Sequence, residues 1–234
     1  MEKYYGAYEE RYRRLEEAGG GTWGHRAEDD WLKGEISSWV HGENIARVME
    51  FACGEGAGGA ILKALGCIYT GADISPTALA KARALMGSDA DLRLIDMVEE
   101  CPGEEIFDGA LDISGLHMLI TDGHREKYLR NVYRCLKRGG TAFFLQESYR
   151  RDAYEGAVGS IKEWQEITGL DFSTPQPRMF GDREVMLKLL PARPRNEAGY
   201  RAEMENAGFK VEYVRELAES DFMPCSAAIL VRKI

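Results

Sequence analysis

Glu50-Phe51-Ala52-Cys53-Gly54-Glu55-Gly56-Ala57-Gly58-Gly59 is the stretch whose reading decides the fold. An apolar run, Arg47–Ala52, leads into it. A helical pattern, Gly58–Leu65, leaves it and stops at Gly66. Strand, glycine turn and helix form the opening of a β-α-β unit. The glycines permit a tight turn and a close approach of backbone to ligand.

The same alternation continues downstream. Cys67–Ala72 reads as a second strand, and Ser75 caps a helix with Pro76 at its first position. Strands follow at Leu92–Ile95, Gly109–Ser114 and Thr141–Gln146, with a helix over Arg125–Leu136. Residues 197–207 form the last helix, and Phe209–Leu217 and Ser226–Arg232 are two strands joined by a short link, which favours antiparallel pairing. The spacing predicts an α/β fold: a doubly wound, mostly parallel seven-stranded sheet with a terminal antiparallel strand. Upstream, residues 3–17 read as a helix carrying Tyr4, Tyr8, Tyr12 and Leu15 on one face, a pattern of packing rather than of a substrate cage. A Trp-containing stretch and a helix through Trp39 follow. Residues 148–195 break the rhythm and are cut by prolines; they read as an insertion with helix over about 153–168. The chain is thus a single domain with an amino-terminal helical cap (1–45), a cofactor-binding core (46–147), an inserted substrate lid (148–195) and the end of the core sheet (196–234).

Ligands of open parallel sheets bind beyond the carboxyl ends of the strands. Those ends carry Glu50 and the glycine loop, then Asp73, then Asp96-Met97, then Asp112-Ile113-Ser114-Gly115-Leu116-His117. Asp73 lies 17 positions beyond Gly56, where a carboxylate can accept both hydroxyls of a ribose. By itself, Gly54-x-Gly56-x-x-Gly59 also fits a dinucleotide fingerprint, so a nicotinamide-dependent oxidoreductase is an alternative. A non-catalytic cofactor-binding module is another.

The whole constellation resembles the class I S-adenosylmethionine-dependent methyltransferases. That family's first motif runs acid, apolar, Gly-x-Gly-x-Gly; Glu50 takes the acidic position, Ala52 replaces the first glycine, and Gly54 and Gly56 match the next two. Asp73 in Gly71-Ala72-Asp73-Ile74-Ser75 matches the ribose-binding acid, and Asp96-Met97 resembles the pair beside the adenine. Phe107–Asp112 resembles the fourth-strand motif, and Leu136-Lys137-Arg138-Gly139-Gly140 the turn into the fifth strand. The resemblance covers roughly residues 45–147 and 197–232. It implies S-adenosylmethionine as methyl donor and S-adenosylhomocysteine as product. It also implies a cofactor site of Glu50, Ala52, Cys53, Gly54, Gly56, Asp73, Ile74, Asp96, Met97 and Asp112, with Trp23 closing it. His117, following the fourth strand, is the candidate general base for an acceptor that must lose a proton.

The acceptor is expected to be a small molecule, methylated on O, N, S or C. The chain lacks Asn/Asp-Pro-Pro-Tyr or Pro-Cys after the fourth strand, which base-modifying relatives carry. Its formal net charge of −9 over 234 residues also argues against a nucleic-acid partner. Tyr149, Arg150, Trp164 and Arg178 in the insertion are the candidate acceptor contacts. Five scattered cysteines without a Cys-x-x-Cys pair suggest neither metal nor disulfides. With no apolar run of membrane-spanning length and no secretory h-region at the start, a cytoplasmic protein is expected.

Overall fold

The computed structural model describes residues 3–19, 21–22, 24–180, 183–218 and 225–234. Seven strands form one sheet: β1 (Arg47–Phe51), β2 (Ile68–Asp73), β3 (Asp91–Leu94), β4 (Phe107–Ile113), β5 (Leu136–Ser148), β8 (Phe209–Glu216) and β9 (Ser226–Lys233). Their order is β3-β2-β1-β4-β5-β9-β8. Pairing is parallel from β3 to β5, and β9 runs antiparallel between β5 and β8. The antiparallel strand is therefore the last in the chain but not the last in the sheet.

Period-two alternation explains why both faces are covered. In β5, Ala142 and Phe144 enter one core while Phe143 and Leu145 enter the other. In β9, Ile229 and Val231 face the first core, and Ala228 and Leu230 the second. Both faces are apolar, so helices must cover both. The first face takes α5 (Asp122–Cys135) and α7 (Glu197–Asn206); Tyr128, Leu129, Val132, Tyr200 and Met204 pack there. The second takes α2 (Asp30–Gly42), α3 (Ala57–Ala64) and α4 (Pro76–Met86) through Leu32, Ile36, Ile61, Leu62 and Leu79. Local chemistry starts these helices as the sequence predicts for α4: Ser75 Oγ accepts from Ala78 N at 3.0 Å, with Pro76 at the first position. Asp29 does the same for α2, accepting from Trp31 N and Leu32 N.

The amino-terminal segment is a short 3-10 turn (Tyr4–Gly6) followed by α1 (Ala7–Glu17). It lies across the carboxyl end of the sheet, with Tyr5 and Tyr8 buried in the first core. The insertion holds α6 (Ile161–Thr168), shorter than the sequence suggests, and a hairpin, β6 (Gln176–Phe180) with β7 (Arg183–Leu187), which the proline-rich pattern does not announce. Trp164 centres a small separate core with Ile120, Val158 and Phe172. The insertion backs α1: Tyr8 Oη donates to Pro191 O at 3.3 Å, Arg11 to Lys188 O at 3.3 Å, and Arg14 to Met186 O at 3.4 Å. Among the described residues no helix is long and apolar enough to cross a membrane.

Candidate active site

The β1–α3 turn shapes one wall of a cavity of about 1060 Å³, its mouth included. Ala52 and Gly54 have φ of 51°, and Gly56 has 88°, so the chain passes three times through the left-handed region. Glycine adopts it freely, whereas alanine pays about 1–2 kcal/mol there. The position where Ala52 departs from the family pattern is thus one where glycine would relieve strain. The close approaches are equally specific. A Cβ on Gly58 would overlap the Glu50 carboxylate, and one on Gly56 would press on Met86 and Ala82 of α4.

Glu50 lies fully buried behind the loop. Tyr69 Oη donates to its Oε2 at 2.5 Å, and Gly59 N–H also reaches it. Burial outweighs these donors and pushes its carboxyl up to about 8. Asp73, at the end of β2, accepts from Gly54 N and Ser75 N, both at 2.8 Å. It ties the loop to the start of α4 while still lining the cavity. Burial raises its pKa, against those backbone donors. Asp96 follows β3 and lines the cavity together with Ile74 and Met97. Met97 Sδ accepts from Ala52 N at 3.2 Å, which draws the third strand end against the loop.

The structure thus brings Glu50, Ala52, Cys53, Gly54, Asp73, Ile74, Asp96 and Met97 together on one cavity. Gly56 acts one step back, as the left-handed residue preceding α3. Trp23 lies outside the described residues. Two strand-end residues are elsewhere. Asp112 is turned beneath the β4 loop, where Gly115 N donates to Oδ1 at 2.7 Å and Tyr128 Oη to Oδ2 at 2.8 Å. Burial, with the Glu147 charge adding to it, raises its pKa. Asp112 supports the floor and does not line the cavity.

His117 does not line the cavity either. It is buried under the β4 loop, its Nδ1 2.9 Å and its backbone N 2.7 Å from Glu147 Oε2. The insertion residues leave the site as well. Tyr149 and Trp164 are buried in two different apolar cores, and Arg150 and Arg178 are exposed. None of the four lines the cavity. Trp31 sits partly exposed in the first turn of α2.

What sequence reasoning missed is the roof. Tyr5, Tyr8 and Tyr12 line the cavity, as do Gly24 and His25 from the segment before α2. Tyr12 stands over the loop: its hydroxyl is 3.0 Å from where a Cβ on Gly54 would lie. Glu9 fastens the roof, accepting from Ser75 Oγ at 2.6 Å, Thr77 Oγ1 at 2.7 Å and Thr77 N at 3.2 Å at the amino end of α4. Burial holds the Tyr8 and Tyr12 phenols neutral, with pKa values above the ordinary 10.0. The signal for this roof was present as the tyrosine face at helical spacing, which equally describes packing. His25 Nδ1 lies 3.6 Å from Asp29 Oδ2, so a histidine does face the cavity, from the amino-terminal side. Ser114, Gly115, Met118 and Leu119 complete the wall beyond β4.

A glycine loop, three strand-end acids and this strand order define a class. Residues 48–140 match the family model described as a methyltransferase domain. Over those residues the chain is a methyltransferase domain, set in a sheet with the strand order of the Rossmann-like methyltransferase fold. Among particular relatives, the 18S rRNA (guanine-N(7))-methyltransferase bud23 of Schizosaccharomyces pombe is 29% identical over 109 residues, 43% of this chain and 41% of that protein. The matched part spans about two-fifths of that relative's length. Solved structures share the fold across nearly the whole chain. The amino pentose methyltransferase of Micromonospora echinaspora has a TM-score of 0.65 at 17% identity, covering 97% of this chain and 96% of that one. The 1,6-didemethyltoxoflavin-N1-methyltransferase of Burkholderia thailandensis has 0.64 at 18%, covering 99% and 89%.

Proposed function

We propose that this protein transfers a methyl group from S-adenosylmethionine to a small-molecule acceptor enclosed beneath the amino-terminal roof. The observation that carries the acceptor class is the roof itself. Tyr5, Tyr8 and Tyr12 line the same cavity as the glycine loop, which supports an acceptor small enough to share that cavity with the donor. The donor fits this chain's residues: glycines where side chains would collide, carboxylates at the ends of β1, β2 and β3, and apolar Ile74 and Met97 between them.

In this reading Asp73 accepts the ribose hydroxyls, Asp96 the adenine amino group, and Ile74 and Met97 flank the ring. Glu50 supplies negative potential behind the loop that receives the methionyl end. The bound cofactor supplies an electrophilic methyl on a sulfonium, so the protein's share is to exclude water and align the acceptor in line. Tyr8 and Tyr12, kept neutral by burial, act as hydrogen-bond donors and dry walls, not as bases. His25, beside Asp29, takes the place proposed from sequence for His117 when the acceptor has a proton to lose.

Calorimetric titration with S-adenosylmethionine and S-adenosylhomocysteine tests the donor half; no heat with either defeats it. Asp73→Asn, which keeps the shape and removes the charge, is expected to cost about 1–3 kcal/mol of affinity. The acceptor half is tested by methyl incorporation into a small-molecule panel set against total RNA. Incorporation into RNA alone would replace the small acceptor by a base, the chemistry named in the bud23 relative.

A further inference from the structure

The roof reaches Asp96, one of the carboxylates that line the cavity. Asp96 Oδ2 accepts from Tyr5 Oη at 3.1 Å and from Lys3 Nζ at 2.7 Å, and Oδ1 accepts from Val98 N at 3.1 Å. Tyr5 is almost fully buried, wedged edge-on against Tyr4 and the His124 ring with centroids 5.6 and 5.1 Å apart. Lys3 is an exposed side chain, and ion pairs of that kind contribute little. Of the two side-chain donors on Asp96, the rigid one is therefore Tyr5.

We propose that Tyr5 is a positioning residue for base recognition: it fixes the Asp96 carboxylate in the orientation that accepts the amino group of adenine. The inference rests on the functional reading above and deepens it at the same site. A carboxylate discriminates between purines only when held still. Facing an amine it accepts a hydrogen bond; facing a ring carbonyl at the same place it meets another acceptor and is left unsatisfied. Val98 N fixes one oxygen through the backbone. Tyr5 fixes the other from a segment 91 positions away in the chain. Base selectivity is thereby tied to closure of the roof, because the turn that carries Tyr5 leads directly into α1. Glu9 of α1 is latched onto Ser75 and Thr77.

The test is calorimetric titration of wild type, Tyr5→Phe and Lys3→Met with S-adenosylhomocysteine and with its deaminated analogue S-inosylhomocysteine. Thermal melts accompany each variant. Phenylalanine keeps the ring contacts with Tyr4 and His124, so the fold is expected to stand. Tyr5→Phe should weaken the adenosyl ligand about tenfold, because an Asp96 carboxylate no longer held still must be ordered when the ligand binds. It should leave the inosyl ligand nearly unchanged, so that the preference between them shrinks by about the same factor. Lys3→Met should change the preference less than about twofold. Equal weakening of both ligands by Tyr5→Phe, or no weakening of either, overturns the proposal and leaves Tyr5 as packing. If wild type binds neither ligand, the donor assignment fails instead, a distinguishable result.

Discussion

Replacing Glu50 by glutamine should flatten the pH dependence of stability in the ligand-free protein. Glu50 is fully buried with a folded-state pKa of about 8, against an ordinary 4.5. A carboxyl whose folded pKa is raised favours folding while it holds its proton. Its contribution is complete below about pH 4.5, declines as pH rises, and is exhausted above about pH 8. Linkage puts the loss at about 3 kcal/mol by pH 7 and about 5 kcal/mol by pH 9. For a domain of this size each kcal/mol lowers the melting temperature by about 2–4 °C. Glu50→Gln keeps a side chain that can accept from Tyr69 and removes the titration. The difference between wild-type and variant melting temperatures should therefore swing toward the variant across pH 5 to 9. Parallel profiles would refute the reasoning.

Glu50 also couples pH to ligand binding. A cofactor ammonium set against the loop gives Glu50 a countercharge and favours its ionised form, so binding near pH 7 should release close to one proton. Titration in two buffers of different ionisation heat counts that proton. Glu50→Gln should release none from this position.

Three further substitutions separate strain, support and packing from the site. Ala52→Gly trades about 1–2 kcal/mol of left-handed strain against the up to about 1 kcal/mol of added chain entropy that glycine carries. Its urea midpoint should match or exceed wild type, and a loss above about 2 kcal/mol would contradict the strain. His117→Asn leaves Glu147 buried with a partner missing, so stability should fall by about 2–4 kcal/mol with kcat retained. A large fall in kcat with an unchanged melt would return His117 to the chemistry. Trp164→Ala empties the core of the insertion and should cost about 3–5 kcal/mol, read from chemical denaturation. Affinity for S-adenosylhomocysteine should change by less than about threefold, because Trp164 sits away from the cavity.

The cavity wall around the glycine loop was legible because it is local. Glu50, Asp73, Asp96 and the glycine loop sit at strand ends, and each is placed by the strand that precedes it. Asp112 and His117 share that placement, yet both side chains turn inward. Tyr128 of α5 claims one, and Glu147 of β5 the other. Position along the sequence gives the strand end; partners 16 and 30 residues away decide which way the side chain faces. The insertion misled for a related reason. Its aromatic and basic residues resemble an acceptor lid, but Trp164 finds Ile120 and Phe172 and becomes a core. The hairpin β6–β7 was hidden by Pro175 and Pro177 at its start, which read as loop. The roof was hidden by ambiguity: Tyr8 and Tyr12 at helical spacing describe a packed face and a cavity wall equally.

These placements divide the chain by task. The family match runs over residues 48–140, and every residue proposed to touch the donor from the sheet lies inside it. Tyr5, Tyr8, Tyr12 and His25 lie outside it, as does the insertion. Among the described residues the insertion holds α1 through the carbonyls of Met186, Lys188 and Pro191, and the wall beyond β4 through Arg193, whose backbone N–H donates to His117 O and whose guanidinium donates to Ile120 O. The two segments outside the match are therefore one device: Tyr5, Tyr8, Tyr12 and His25 line the cavity, and the insertion sets where α1 sits. Changes in the insertion should alter acceptor choice by tilting α1, without any insertion side chain touching the acceptor.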